Sequence, residues 1–203
     1  MNQETLISGL VGVIIGITLS VALFPMWGGM MGYGNYMMGK NQVLGSIDAH
    51  FIEQMIPHHE DAITMAGLAL QKATHQEIKQ LAQDINRTQS EEIEQMRAWY
   101  KNWYGKDVPD AFLNTGHGMG SGAMHMGMMG DATDIEQLKT APDFDKAFIE
   151  EMIPHHQMAV MMAQMLEQTT KRSEMKQLAK NIIEAQTKEI DSMRNWYRQW
   201  YGK

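Results

Sequence analysis

The sequence contains an internal repeat, which limits the possible folds more than any other feature. Residues 48–106 align with residues 145–203 without a gap, at an offset of 97 residues, and about half of the aligned positions are identical. Each copy contains the segment MIPHH, at Met55–His59 and at Met152–His156, and each ends in MRxWYxxWYGK. A repeat of this length indicates that one structural unit was duplicated, so both copies are predicted to have the same fold.

Apolar residues in each copy recur at the three- and four-residue spacing of a helix. Each copy is therefore predicted to be a hairpin of two helices. A single hairpin would leave its apolar face exposed, whereas two hairpins can cover each other, so the predicted fold is an all-α four-helix bundle over residues 45–203. In the first copy the predicted apolar stripes are Phe51, Met55, Ala62, Ala66 and Ala69, followed by Ile78, Leu81, Ile85, Ile93, Met96, Tyr100 and Trp103.

Local signals add detail to this prediction. Pro57 and Pro154 fall inside the first helix of each copy, where a kink or a disturbed turn is expected. Thr74 and Glu77 have the spacing of a capping box at the start of the second helix. The tryptophans and tyrosines that end each copy are expected to close the end of the bundle, with the next glycine available as a C-cap.

The charge of the chain is acidic, with a formal net charge of -7. Nucleic acid and anionic lipid both require clustered Lys and Arg, so no nucleic-acid partner is predicted. Glutamates at equivalent positions recur in both copies, namely Glu53 with Glu150 and Glu92 with Glu189. They are expected on solvated helix faces or in salt links along one helix.

The sequence has no cysteine and 21 methionines. Without cysteine the chain cannot form disulfides, zinc fingers, iron–sulfur clusters or blue-copper sites. Methionine still offers a thioether, which is a soft metal ligand and which does not form disulfides in an oxidising compartment. The composition therefore favours an extracytoplasmic protein with soft-metal chemistry.

Residues 1–27 are predicted to be a membrane anchor or signal segment. Leu6–Phe24 contains no charged residue and is long enough to span a bilayer. Glu4 is the only charge before it and the cleavage-site match is loose, which favours an uncleaved transmembrane helix. The chain is expected to be periplasmic or extracytoplasmic and membrane-anchored, or secreted if cleaved. A stripe of small residues could pack two anchors together in a homodimer: Ser8, Gly12, Gly16 and Ser20.

The MIPHH segments place methionine and histidine on one helical face. Residues three and four apart on a helix are neighbours, so each methionine lies beside both histidines of its segment. Thioether and imidazole ligands suit Cu(I), so copper binding is predicted, with Cu(I) preferred, Cu(II) as an alternative and Ag(I) as a surrogate. The predicted helix-borne ligands are Met55, His58, His59, Met152, His155 and His156, with His50, Met158, Met161 and Met162 as further candidates.

Core packing is the alternative explanation for methionine at helical spacing. It is preferred for Met65, Met96, Met175 and Met193. This explanation does not extend to the Gly/Met-rich linker at residues 28–44 or to the Met/Gly-rich connector at residues 107–144. Flexible linkers ordinarily use glycine, serine and polar residues, and an exposed methionine gains no stability from burial, so its presence there favours a ligand role for the sulfur. The connector is predicted to hold weaker copper ligands: His117, Met119, Met124, His125, Met126, Met128 and Met129.

The doubled MIPHH, the WYxxWYG hairpin ends and the Met-rich connector resemble a bacterial domain-of-unknown-function family of ferritin-like four-helix bundles, which includes CopM-type copper-binding proteins. The resemblance covers about Gly45 to Lys203. It implies a ferritin-like bundle, periplasmic or membrane-associated residence, and copper binding in copper resistance, with export machinery as a candidate recipient of the ion. The second copy has Ala147 where the first has His50, so identical ligand sets are not expected.

A ferritin-like metalloenzyme and a Met-rich interaction bundle are the alternative functions. Di-iron carboxylate sites need Glu-x-x-His on helices, and no histidine of this sequence has glutamate three positions before it. Met-x-x-His stands there instead in both copies. No catalytic residue is predicted, and the chain is expected to bind copper without being an enzyme.

Overall fold

A computed structural model describes residues 47–109 and 132–202, and the regular structure of these residues is helical. The predicted helical bundle is thereby confirmed. The described helices are α1 (Ile47–Lys72), α2 (Gln76–Tyr104), α3 (Ala132–Thr140), α4 (Phe144–Thr169) and α5 (Ser173–Tyr201). None of these helices is both long and apolar enough to cross a membrane. The predicted anchor at residues 1–27 and the linker at residues 28–44 lie outside the described residues.

The helix ends agree with the sequence in part. Gly105 and Gly202 cap α2 and α5 with φ angles of 68° and 70°, a left-handed conformation that glycine adopts without steric cost. The predicted capping box at Thr74 is wrong. Helix α2 has His75 as its N-cap, without a side-chain cap, because the Thr74 hydroxyl donates instead to Asp145 at 2.6 Å.

Helices α1 and α4 pack against each other in opposite directions. One core cluster combines Met55 near the start of α1 with Ala159 in the second half of α4. The other combines Ala62 in the second half of α1 with Met152 near the start of α4. Neither α1 nor α4 ends at its internal proline, and both continue as single helices of 26 residues. The two MIPHH segments therefore face each other midway along the bundle.

Short helix α3 was not predicted, because it lies outside the repeat. It occupies part of the region expected to be a connector at residues 107–144 and packs against α4 and α1. Leu138 of α3 is fully buried, and Ile135 is partly buried beside it. The Lys72 ammonium at the end of α1 donates to the Lys139 carbonyl at 2.6 Å. These contacts hold the last turn of α3 against the end of α1, at the turn of the first hairpin.

Candidate metal centre

The histidines of the two MIPHH segments meet in the interior of the bundle. The ring centroids of His58 on α1 and His155 on α4 lie 3.7 Å apart, with an angle of 38° between the ring planes. Only 1% of the His58 surface and 6% of the His155 surface are exposed. The sequence predicted that each helix offers an imidazole, and the structure brings these two into contact with each other.

The rings of His58 and His155 are neutral and have no hydrogen-bond partner at either nitrogen. Burial, together with the nearby imidazoles of His59 and His156, lowers the pKa of His58 to about 3. Burial and the neighbouring His58 ring hold the pKa of His155 well below its ordinary value. A neutral imidazole has one nitrogen lone pair, so this contact holds two free lone pairs in an apolar interior. Buried polar atoms without a protein partner are rare, and these nitrogens are therefore candidate metal ligands.

The second histidine of each segment is held by a glutamate of the neighbouring helix. His59 Nε2 lies 2.7 Å from Glu92 Oε2 on α2, and His156 Nε2 lies 2.7 Å from Glu189 Oε2 on α5. Both imidazoles are fully buried, whereas the glutamate side chains are 19% and 18% exposed. The expectation that Glu92 and Glu189 lie on solvated faces or in salt links along one helix is therefore wrong, because each reaches across to an adjacent helix.

These carboxylates determine which ring nitrogen is free. A carboxylate accepts a hydrogen bond, so His59 donates from Nε2, and Nδ1 is the ring nitrogen left to bind a metal ion. The same reasoning applies to His156. Both Nδ1 atoms are buried and have no partner. Carboxylate–histidine pairs of this kind orient imidazole ligands in metal sites.

Two buried glutamines near this region were missed by the sequence reasoning. Gln89 and Gln186 are each 3% exposed, and their Oε1 atoms have no hydrogen-bond partner. Each lies three residues before the glutamate that binds a histidine, and the two occupy equivalent positions in the repeat. Their recurrence at the same position in both copies was the available signal. Like the ring nitrogens of the histidines, these Oε1 atoms are buried polar atoms without a protein partner.

The methionines of the MIPHH segments flank the histidine pair. Met55 and Met152 are fully buried, and each precedes its buried histidine by three residues. Three residues correspond to about 4.5 Å along a helix. Because α1 and α4 are antiparallel, Met55 lies on one side of the histidine pair and Met152 on the other. Each side therefore combines a thioether with imidazole nitrogen.

The remaining helix-borne candidates lie farther out. His50 is exposed on α1. Met158 and Met162 are partly buried on α4, and Met161 is 47% exposed. The methionines expected to be core residues are buried, with exposures of 3% for Met65 and 0% for the other three: Met96, Met175 and Met193.

The connector ligands fall outside the described residues: His117, Met119, Met124, His125, Met126, Met128 and Met129. Within residues 47–109 and 132–202, side chains of histidine, aspartate and glutamate do not form a group of three or more that could hold a metal ion. The candidate centre differs from such a site, because it combines imidazole with thioether sulfur. It consists of Met55, His58, His59, Met152, His155 and His156, supported by Glu92 and Glu189.

Comparison with known proteins identifies a family that matches most of the chain. Residues 48–197 match the family described as Domain of unknown function (DUF305). An uncharacterized protein L153 of Acanthamoeba polyphaga mimivirus is 45% identical over 49 residues, which are 24% of this chain. That match spans 32% of the length of the mimivirus protein, about a third.

Solved structures of similar sequence cover most of the chain. CopM in the Cu(II)-bound form is 49% identical with a TM-score of 0.67, and CopM in the Cu(I)-bound form is 46% identical with a TM-score of 0.64. Each match covers 76% of this chain and 97% of the CopM chain. A DUF305 fragment from Deinococcus radiodurans is 27% identical with a TM-score of 0.63, over 75% of this chain and 96% of the fragment.

Proposed function

The chain belongs to the DUF305 family, and from this membership together with the buried histidine pair we propose that it binds copper ions. The observation that carries the proposal is the contact of His58 with His155, two neutral buried imidazoles whose four ring nitrogens have no partner. Copper bound there would use the lone pairs that the protein leaves free. The solved forms of CopM hold Cu(I), Cu(II) and Ag, which supports the same ligand class here.

The types of ligand favour Cu(I) over other ions. Thioether sulfur is a soft donor, and the interior offers Met55 and Met152 beside the histidines. Zinc and iron sites use thiolate or carboxylate ligands to a greater extent, and magnesium sites use hard oxygen ligands. Neutral donors suit a monovalent ion, because they do not compensate its charge and a lower charge costs less to bury. We propose Cu(I) as the preferred ion, Cu(II) as a second form and Ag(I) as its surrogate.

The proposed role is storage and handling of copper without catalysis, in a ferritin-like bundle that contributes to copper resistance. The helix-borne ligands form the tighter site, since they are held in place before the ion arrives. Ligands of the connector, such as His125 and Met126, would form a weaker site because they lose conformational entropy on binding. Extracytoplasmic residence, anchoring through residues 1–27 and delivery to copper-export machinery belong to the same proposal, as does a homodimer.

Anaerobic Cu(I) titration against a competing chelator tests this function. Wild-type protein is compared with a variant in which alanine replaces six residues: Met55, His58, His59, Met152, His155 and His156. The variant should lose the tight component and keep the weak one, while circular dichroism confirms that it remains helical. A folded variant that keeps the tight component would refute the site. Tighter binding of Zn(II) or Fe(II) than of Cu(I) by the wild-type protein would refute the copper function.

A further inference from the structure

Four methionines of α4 form a stripe from the buried histidines to the protein surface. Met158, Met161, Met162 and Met165 follow one another at helical spacing and share one face of α4. Met158 and Met162 are partly buried, whereas Met161 is 47% and Met165 59% exposed. His155 precedes Met158 by three residues, so this α4 methionine stripe starts one turn from the histidine pair, and its far end at Met165 is about 15 Å from His155 along the helix.

The first repeat shows that the fold does not require methionine on this face. The α1 residues equivalent to the stripe are Asp61, Thr64, Met65 and Leu68. Asp61 is partly buried and Thr64 is exposed. Because the duplicated helices occupy equivalent positions in their hairpins, packing accepts a carboxylate and a hydroxyl where α4 has thioethers. The sulfur atoms, and not packing, therefore distinguish the stripe from its counterpart.

The direction of the helices places the stripe beside a further sulfur. Since α1 and α4 are antiparallel, residues that follow His155 lie at the level of residues that precede His58. Met55 and Ala159 accordingly belong to one core cluster. Met158 is thus on the same side of the histidine pair as Met55. On the opposite side, the equivalent position is occupied by Asp61.

We propose that the α4 methionine stripe is a surface site for Cu(I) and the path by which the ion reaches the buried histidines. The path rests on the proposed copper function, whereas the surface site does not depend on metal binding by the buried histidines. Cu(I) accepts few ligands at a time, so it can pass from one thioether to the next by ligand exchange. The ion keeps its oxidation state throughout, and no proton or electron is transferred. Spacing of three or four residues keeps the next sulfur within one turn at each step.

The surface site is tested with full-length protein labelled with carbon-13 at the methionine methyl groups. Ag(I) is added in steps from below one equivalent to several equivalents, so that weaker sites also fill, and each methyl resonance is followed. The methyls of Met158, Met161 and Met165 should shift, whereas those of Met96 and Met193, which are fully buried in the core, should not. Stripe methyls that stay unchanged at every Ag(I) concentration, or core methyls that shift as much, would overturn the surface site.

The path is tested by removing sulfur without removing apolar surface. A variant combining Met158→Leu, Met161→Leu and Met165→Leu should load the buried histidines with Ag(I) several-fold more slowly than the wild-type protein. Loading is followed by the ring signals of His58 and His155. An apolar face used only for protein docking would tolerate leucine, so slower loading distinguishes a thioether path from such a face.

A gain-of-function variant provides the matched comparison. Asp61→Met, Thr64→Met and Leu68→Met give α1 the residues of the stripe, and in the triple leucine background they should restore fast loading. Equal loading rates in the wild-type protein and the triple leucine variant would overturn the path, although the proposed function would stand. Histidine signals that never respond to Ag(I) in the wild-type protein would instead contradict the proposed function.

Discussion

His75 in the turn of the first hairpin stacks on Trp200 near the end of α5, with ring centroids 3.7 Å apart and ring planes 10° apart. The equivalent pair in the repeat is Arg172 over Trp103, with 4.0 Å between the guanidinium carbon and the ring centroid. Each hairpin turn thus covers the aromatic end of the other hairpin. The duplicated units therefore depend on each other for burial of their aromatic ends.

The first prediction concerns one hairpin in isolation. Residues 45–106 alone should be unfolded or should self-associate, because Trp103 would lose Arg172 and the apolar face of α1 would lose α4. Circular dichroism with analytical ultracentrifugation measures the helix content and the molecular mass. The full chain serves as the control. A cooperatively melting monomer would contradict the prediction and would mean that each repeat is an independent domain.

The second prediction compares two equivalent tyrosines. Tyr100 donates to Glu53 at 2.6 Å in the buried core, whereas Tyr197 makes the same 2.6 Å bond to Glu150 at the surface. Tyr100→Phe should lower the free energy of unfolding by about 1–3 kcal/mol, because it leaves the buried Glu53 carboxyl without its donor. Tyr197→Phe is the matched control and should have little effect, since water replaces the lost bond. Urea unfolding of both variants checks the difference, which equal destabilisation would contradict.

Much of the fold was predictable because the repeat supplies the same pattern twice. The stripe that begins at Phe51 is buried as predicted, and so is the second stripe up to Tyr100, with Trp103 partly buried. The family resemblance inferred from the doubled motif is confirmed. Helix α3 escaped prediction because it has no counterpart in the repeat. The Thr74 capping box failed because a tertiary bond to Asp145 replaced the local one.

The candidate site was predictable by residue type but not by arrangement. Helical spacing relates residues within one helix, so it identified Met55 and His58 as neighbours. It says nothing about partners on other helices, and therefore it missed the contact of His58 with His155. The bond between His59 and Glu92 joins residues 33 positions apart. Only the recurrence of both residue types at that separation in each repeat pointed to it.

The third prediction concerns the glutamates that orient the second histidines. Glu92→Gln combined with Glu189→Gln should weaken Cu(I) binding by about 10- to 100-fold, because an amide can also donate and no longer keeps the lone pair on Nδ1. Glu91→Gln is the control, since its side chain is 67% exposed. Competitive Cu(I) titration at constant pH measures both. Unchanged affinity in the double variant, or an equal loss in the control, would contradict this role.

The fourth prediction concerns the stability of the metal-free protein in acid. Burial lowers the pKa of His58 to about 3 and that of His155 well below its ordinary value. The unfolded chain therefore binds more protons than the folded protein below the ordinary pKa of about 6.5, so stability is lost as pH falls from there toward 3. Stability should therefore fall with pH across that window, because the unfolded chain takes up protons that the folded rings do not.

Urea unfolding at several pH values, with a chelator present, measures this fall in stability. The variant His58→Leu with His155→Leu removes both titrating groups, so its unfolding free energy should depend less on pH between 6.5 and 3. Surface carboxylates titrate equally in both proteins and cancel in the comparison. Parallel pH profiles for the variant and the wild-type protein would show that the two histidines are not neutral in the folded state.

The fifth prediction concerns the N-terminus, which lies outside the described residues. The length of the uncharged segment Leu6–Phe24 and its loose cleavage site predict that the mature protein retains residues 1–27. Intact-mass analysis of membrane and soluble fractions measures the first residue of the mature chain. A dominant form that starts near Leu23 would show cleavage and release of the protein.

The last prediction concerns copper binding in acid, where the structure reverses an expectation based on ordinary histidines. An imidazole with the usual pKa of about 6.5 loses about 30-fold in metal affinity near pH 5, because protons occupy its nitrogen. Protons compete for His58 only near its pKa of about 3. The contribution of the His58–His155 pair to Cu(I) affinity should therefore persist at a pH where exposed histidines have lost theirs.

A peptide of residues 116–130, which contains His117 and His125, is the control for ordinary histidines. Anaerobic Cu(I) titrations of the peptide and of the full chain are compared near neutral pH and near pH 5. The tight component of the full chain should weaken less than the histidine-dependent binding of the peptide, because burial has already removed the protonated state of His58 and His155. An equally steep loss in both would mean that the tight component does not use this pair, and His59 with His156 would then be the ligands to examine.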